Sequence, residues 1–330
     1  MFFLPSMLSI VTTYQCTASC DACCFKCNPL RKETLSSSQI RNVIEQTADI
    51  PSIKTIVFTG GECFLLGKDL VDFVELCSSK YLRSRIVSNG YWATSISSSY
   101  NRLAELCEAG LDELNISVGE EHQKYVKIEY LYNAVNSACA IGLRTAINVE
   151  TRYTGCNSIY ANSDLKQFVE YAALNGCYIS HGLWNEEENC SQISTIQPCF
   201  HMGQALTVSP DYKVKICCGL TVMENDNLCL GSLTNRTLKN LLVDEPEDLL
   251  KMAIKVYGPA KILIDTETGS SEMSIGNYSK HPCKGCLEIY DKVSNYKAIE
   301  QYIIGREFDI IQKYKTTIIK EFIETNESML

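Results

Sequence analysis

Three cysteines, Cys16, Cys20 and Cys23, open the run Cys-Thr-Ala-Ser-Cys-Asp-Ala-Cys-Cys-Phe-Lys-Cys, which closes at Cys27. Thiolates are soft ligands, suited to iron–sulfur clusters and to zinc. A four-iron cube offers one corner per iron, so three thiolates from one short loop can hold three corners and leave one iron open. An open metal position is where a catalytic site admits a substrate or cofactor. Two plainer readings compete: inert buried cysteines, and a zinc site completed by Cys27. Zinc leaves the nearby segment Phe58-Thr-Gly-Gly-Glu62 without an explanation.

A second set lies far along the chain: Cys199, Cys217 and the Cys-x2-Cys step Cys283–Cys286. Four such ligands would close a fully coordinated cluster or a zinc ribbon. Cys190 or Cys229 could stand in for Cys199. Cys217 is followed directly by Cys218, and in an extended strand neighbouring side chains point to opposite faces. On that reading Cys217 faces the second metal group and Cys218 faces away from it.

These residues need a scaffold, and the apolar pattern supplies one. Strands are expected at Leu8–Tyr14, Ile53–Thr59, Arg83–Ser88, Asp112–Val118, Leu143–Thr151 and Cys177–Leu183. Helices are expected between them at Ser37–Thr47, Lys68–Lys80, Ser95–Glu108, His122–Ala140 and Asp164–Leu174, with serines before the first and Gly110, Gly142 and Gly176 as stops. This alternation implies parallel βα units, either an open doubly wound sheet or an incomplete barrel. In both, ligands gather on the loops after the strands. The cysteine run follows the first strand, Gly60-Gly61-Glu62 the second and Ser88-Asn89-Gly90 the third, so all three should share one rim. After about residue 190 the pattern changes: a hairpin around Pro210-Asp211-Tyr212-Lys213, a helix near Leu238–Ile254, a polar loop at Asp265–Tyr278 and a helical tail. The expected organisation is a barrel over 1–190, a small metal-binding domain over 191–295 and a tail over 296–330.

Composition narrows the class. The formal charge of −9 argues against a nucleic-acid partner, which requires a basic surface. No apolar run is long enough to span a bilayer, and the start MFFLPSMLSIV has no basic residue ahead of it, so a membrane or secretory role is not expected. Eighteen cysteines in a chain too long to need disulfide staples point to a reducing cytoplasm and to metal or redox chemistry.

Cys-x3-Cys-x2-Cys after a first strand, with Phe-Thr-Gly-Gly-Glu after the second, resembles the radical S-adenosylmethionine (radical SAM) superfamily. The resemblance implies a partial (β/α)6 barrel of the TIM type. It implies a 4Fe–4S cluster on Cys16, Cys20 and Cys23, whose open iron is chelated by the methionine end of S-adenosylmethionine. Reduction then gives a 5′-deoxyadenosyl radical. Gly60, Gly61 and Glu62 would hold the methionine amino group. Ser117, and Arg144 or Asn148, are placed like the family's carboxylate and ribose contacts. Two positions depart from the family pattern: Ala22 stands where an aromatic residue is usual, and Cys63 where proline is common.

The later cysteines, with Pro-Asp-Tyr-Lys-Val-Lys-Ile-Cys-Cys and Leu-Gly-Ser-Leu, resemble the shortened auxiliary-cluster domain called twitch, a relative of SPASM. That implies a second 4Fe–4S cluster on Cys199, Cys217, Cys283 and Cys286, a precursor-peptide substrate and a flavodoxin- or ferredoxin-type electron donor. The dense first run and the Cys217-Cys218 pair resemble the peptidyl epimerases, which install D-residues in ribosomally made peptides. Epimerisation needs a hydrogen atom removed from Cα and another returned to the opposite face. Cys218 is the expected thiol donor, with Cys24, Cys27 and Cys63 as rivals. The other readings are a maturase forming thioether or carbon–carbon crosslinks, and a non-catalytic metal-binding scaffold. His122, His201 and His281 receive no role.

Overall fold

The structure is a computed structural model. It describes residues 3–21, 23–151, 163–183, 197–244, 248–268, 281–291 and 296–327. Two compact units emerge: Met7–Asn185 with Thr207–Lys213, and Met1–Ser6, Glu186–Leu206 and Val214–Leu330.

The first unit is a partial (β/α)6 barrel. Its strands are β1 (Met7–Val11), β2 (Thr55–Thr59), β3 (Arg83–Ser88), β4 (Glu113–Val118), β5 (Arg144–Thr151) and β6 (Tyr178–Leu183). They pair in simple sequence order, all parallel. The helices between them are α1 (Ser37–Ala48), α2 (Lys68–Ser79), α3 (Ile96–Glu108), α4 (Glu120–Gln123), α5 (Ile128–Ile141) and α6 (Ser163–Leu174). Helices cover the sheet, so β1, β2, β4 and β5 bury most of their described residues, whereas β3 alternates and the edge strand β6 buries none of its described residues. Leu114, Ile116 and Val118 on β4 are sealed, with Leu8, Ile10, Ile56, Phe58 and Ile86. Ser36 and Ser95 start α1 and α3 with capping boxes, and Gly142 stops α5 in the left-handed region.

One expected helix divides. His122–Ala140 resolves into α4 and α5, because Lys127 leaves helical geometry at φ −69°, ψ 141° and begins α5 afresh. The stretch between them, residues 124–127, buries Val126 alone and exposes its other three residues.

The second unit carries β7 (Ala205–Val208), β8 (Lys213–Lys215), β9 (Cys229–Ser232), α7 (Leu238–Val243), α8 (Leu249–Tyr257), α9 (Pro259–Thr268), α10 (Pro282–Asp291), α11 (Tyr296–Ile304) and α12 (Glu307–Glu327). The tip of the hairpin between β7 and β8 groups with the barrel. The single helix expected over Leu238–Ile254 is two: α7 ends at Asp244, and Asp248 caps α8 by accepting from the backbone N–H of Leu250 and Lys251. Asp265–Thr268, expected as loop, belongs to α9. Residues 269–278, with Trp184, the acidic run 185–188, Cys190 and Ala22, lie outside the described residues.

Two glycines after β2 are required by what lies against them. A Cβ on Gly60 would stand 2.5 Å from the Thr13 carbonyl, and one on Gly61 2.1 Å from the Gln15 carbonyl. Both obstacles are backbone and cannot swing away. Gly67, nearby, faces open space. Gly61→Ala should therefore lower the urea midpoint of the metal-free protein far more than Gly67→Ala, whose cost is limited to backbone strain of roughly 1–3 kcal/mol. Equal losses for the two would show that the close approach is not what the glycine serves.

Candidate active site

The loop from β1 to α1 is fixed before any ligand is considered. Thr12 Oγ1 donates to the Thr59 carbonyl, Gly61 N–H to Thr13 O at 2.7 Å and Glu62 N–H to Gln15 O at 3.0 Å. Further along, Tyr125 donates to the Ser19 carbonyl at 2.7 Å, and Asp21 N–H points to Glu121 Oε2 at 3.4 Å. The loops after β2 and β4 thus grip the cysteine run from both ends.

Cys16, Cys20 and Cys23 line one cavity of about 80 Å³ with Gly60, Gly61, Ser88, Asn89, Ser117 and His122. Cys24 and Cys27 also face it. Burial pushes the Cys16 thiol up to about 11 and the Cys20 thiol up to about 12. Cys23 is lowered to about 6, because the Cys27 thiol donates to it and the Cys27 N–H does so at 3.4 Å. Donating that hydrogen bond holds the proton on Cys27 and pushes its thiol far upward in turn. Asn89 Nδ2 donates to Cys16 Sγ at 3.7 Å and to Thr17 Oγ1 at 3.1 Å.

Glu62 departs from its expected place. Its side chain is fully buried and is not among the residues lining the cavity. Oε1 accepts from Phe64 N–H at 3.1 Å, and Oε2 from Ser88 Oγ and Asn89 N–H, both at 3.0 Å. Burial raises its carboxyl to about 7. The carboxylate ties the loops after β2 and β3 together, and the motif offers the cavity Thr59 and its two glycines.

The strand ends separate the remaining candidates. Ser117 lines the cavity, and Asn148 is its partner in register on β5, in hydrogen-bond contact with Ser180. Arg144 pairs with Glu113 at the other end of the same strands and is exposed. It opens β5 rather than closing it, so the structure does not bring it to the cavity. His122, left without a role above, is buried in the cavity wall with Nδ1 3.2 Å from Glu150 Oε2. Its signal was its position, four residues past a strand end. Trp92 is core, stacked on Phe64 at 4.4 Å and donating to Ser88 Oγ at 2.9 Å.

With this geometry established, the comparisons decide the class. Residues 10–147 match the radical SAM superfamily. That stretch, from β1 into β5 of the barrel unit, carries the radical SAM domain. Over 126 residues the chain is 31% identical to YydG of Bacillus subtilis (strain 168), a protein whose name assigns it to peptide biosynthesis. That match covers 38% of this chain and 40% of YydG, so the chain spans about two fifths of the length of that curated relative. In fold, the chain resembles BtrN in complex with AdoMet and 2-DOIA, with a TM-score of 0.52 at 16% identity over 79% of this chain and 91% of that one. It also resembles anSMEcpe with bound AdoMet and Cp18Cys peptide, with a TM-score of 0.51 at 15% identity over 95% and 99%. A radical SAM domain implies a 4Fe–4S cluster and S-adenosylmethionine, and the donor set fits: three thiols of one loop face a wall of glycine backbone. Among the described residues no helix is long and apolar enough to cross a membrane.

The second unit brings Cys199, Cys217, Cys283 and Cys286 together. Cys199 and Cys286 both act electrostatically on Cys217, and Cys199 and Cys283 on Cys286. Cys283 Sγ and Cys217 Sγ flank Gly219, where a Cβ would lie 2.8 and 3.9 Å from them. Cys218 does not face away as expected. β8 ends at Lys215, so strand alternation no longer applies, and Cys283 and Cys199 both act on the Cys218 thiol, which burial raises to about 11. Cys218 Sγ lies 3.8 Å from His201 Nδ1, and His281 Nδ1 accepts from Cys283 N–H at 3.1 Å. Both histidines stand two residues from a candidate ligand in sequence, which is the signal that was available.

Glu62→Ala would leave two buried backbone N–H groups, of Phe64 and Asn89, without acceptors. Each such loss costs about 1–3 kcal/mol. The metal-free variant should therefore lose roughly 2–6 kcal/mol in urea unfolding. Unchanged metal-free stability together with weaker cofactor binding would return Glu62 to the role of a ligand contact.

Proposed function

We propose that this chain is a radical SAM peptide epimerase, converting L-residues of a ribosomally made precursor to D-residues. The observation that carries the proposal is the presence of a fifth thiol, Cys218, beside the four that suffice to close an auxiliary cluster. The peptide-biosynthesis name of YydG supports the substrate class.

In this reading Cys16, Cys20 and Cys23 hold the catalytic cluster. Gly60 and Gly61 present backbone to the methionine end of the cofactor, and Ser117 and Asn148 approach its carboxylate and ribose. Once bound, the cluster and cofactor would supply a 5′-deoxyadenosyl radical able to take a hydrogen atom from a peptide Cα. Cys199, Cys217, Cys283 and Cys286 hold a second 4Fe–4S cluster. Cys218 returns a hydrogen atom from its S–H to Cα and is left as a thiyl radical. One electron, from a flavodoxin- or ferredoxin-type donor, and one proton restore the thiol. The site is a reducing, cytoplasmic one, since both clusters need free thiols. His201, beside Cys218, is placed to move that proton.

An anaerobic assay with the precursor peptide and dithionite tests this. The product should keep its mass in ordinary water, gain one deuterium in heavy water and contain D-residues on chiral analysis. Cys218→Ala should still release 5′-deoxyadenosine while D-product disappears. A product lighter by two hydrogens would assign crosslinking instead, and normal D-product from the variant would remove Cys218 from the mechanism.

A further inference from the structure

A third group of cysteines sits at the end of the barrel opposite the cavity. Cys107, Cys139 and Cys177 line an open depression together with Asp112, Arg144 and Gly176, residues that lie at helix ends and strand starts. Cys139 is in the last turn of α5, before the Gly142 stop, and its thiol is exposed. Its Sγ donates to the Asn175 carbonyl at 3.3 Å. Asn175 is itself held by its backbone and side-chain N–H groups, both donating to Tyr171 O, at 3.1 and 2.8 Å. Cys177 follows two residues later, its N–H bonded to Ala172 O at 3.0 Å, just before β6. Cys177 lines the same depression, two residues beyond the carbonyl that Cys139 contacts, and Cys139 acts on its thiol through space. Thus two thiols from different elements, one exposed and one buried, meet on rigid helix-end backbone.

We infer that Cys139 and Cys177 form a dithiol site that a small-molecule disulfide closes to a protein disulfide, tying the end of α5 to the start of β6. The order of attack follows from exposure. The Cys139 thiolate attacks the disulfide, forming a mixed disulfide and releasing one small thiolate. The Cys177 sulfur then attacks Cys139 Sγ, forming the protein bond and releasing the second. In total, two protein thiols and one disulfide become one protein disulfide and two small thiols, so electrons and protons balance. Burial, with Cys139 beside it, raises the Cys177 thiol to about 12, which suits a resolving partner rather than a first nucleophile. Exchange of this kind requires access and a neighbouring thiol, and both are present. Neither residue belongs to the proposed cluster ligands.

The test uses the full-length, cluster-loaded protein, held anaerobically with glutathione disulfide, quenched in acid and alkylated. Cleavage after glutamate places Cys139 on residues 130–150 and Cys177 on 171–186, apart from Cys190 and Cys199. The expected product joins these two peptides and is two hydrogens lighter than their sum. Cys107→Ser should leave it intact, and Cys139→Ser, a surface change, should abolish it. Cys177→Ser should instead accumulate a glutathione adduct on Cys139. A bond from Cys139 to Cys107, or full alkylation of both cysteines after exposure, overturns the inference.

Discussion

Everything at the catalytic rim depends on two backbones running side by side without a Cβ between them. The strip Gly60-Gly61-Glu62 lies against Thr13–Cys16, joined by the bonds from Gly61 N–H to Thr13 O and from Glu62 N–H to Gln15 O. Any side chain at Gly61 would occupy the Gln15 carbonyl. This contact sets where Cys16 starts and therefore where the cavity is. Glu62 extends the lock to the loop after β3 through Ser88 and Asn89, and Asn89 passes it back to Cys16 Sγ. The glycines and the glutamate of one short motif thus perform different tasks: the glycines remove bulk, and the carboxylate satisfies buried donors that no other group reaches.

Much of this scaffold could be read from the chain. Period and punctuation located all six barrel strands, since each apolar run was bounded by polar turns, and β3 was found with its ends at Arg83 and Ser88. The gathering of three motifs on one rim followed from the parallel connection rule. The failures are equally physical. Arg144 and Asn148 sit on the same strand, and which of them reaches the site depends on the strand's direction: Asn148 is near the C-terminal end and Arg144 at the other. Glu62 looked like a ligand contact because a carboxylate suits an ammonium, but the sequence could not show that three donors already surround it. Cys217 and Cys218 were assigned opposite faces from strand alternation, which lapses two residues before them.

The second unit shows how a charge can be buried to serve neighbours. Lys255 is almost fully enclosed, 2.8 Å from Glu321 Oε1, and donates to Met202 O at 3.1 Å. Those contacts fix the turn that begins at Cys199, whose N–H in turn bonds Ile254 O at 3.2 Å. The ammonium also opposes, through space, the upward push that burial exerts on the Cys199 thiol. A buried ion pair is weak evidence for stability. Here its partners are the carbonyls around a candidate ligand, so its contribution is to geometry and local potential.

The barrel repeats one device at two strand ends. Gly61 precedes the buried Glu62, and Gly119 makes room for the buried Glu150: a Cβ at Gly119 would fall 2.4 Å from that of Glu150. Each carboxylate is hidden behind the cavity and bonded to a residue that lines it, Glu62 to Ser88 and Asn89, Glu150 to His122. Each also acts on a thiol. After burial, which dominates, Glu62 adds to the rise of Cys16, and Cys23 and Glu150 add to that of Cys20. Placing acids behind cysteines disfavours bare thiolates, so the metal-free loop keeps most of its protons. Ligation requires thiolates, so loading the cluster must release the protons that burial, with the carboxylates adding to it, keeps on Cys16 and Cys20, and proton release becomes part of cluster assembly.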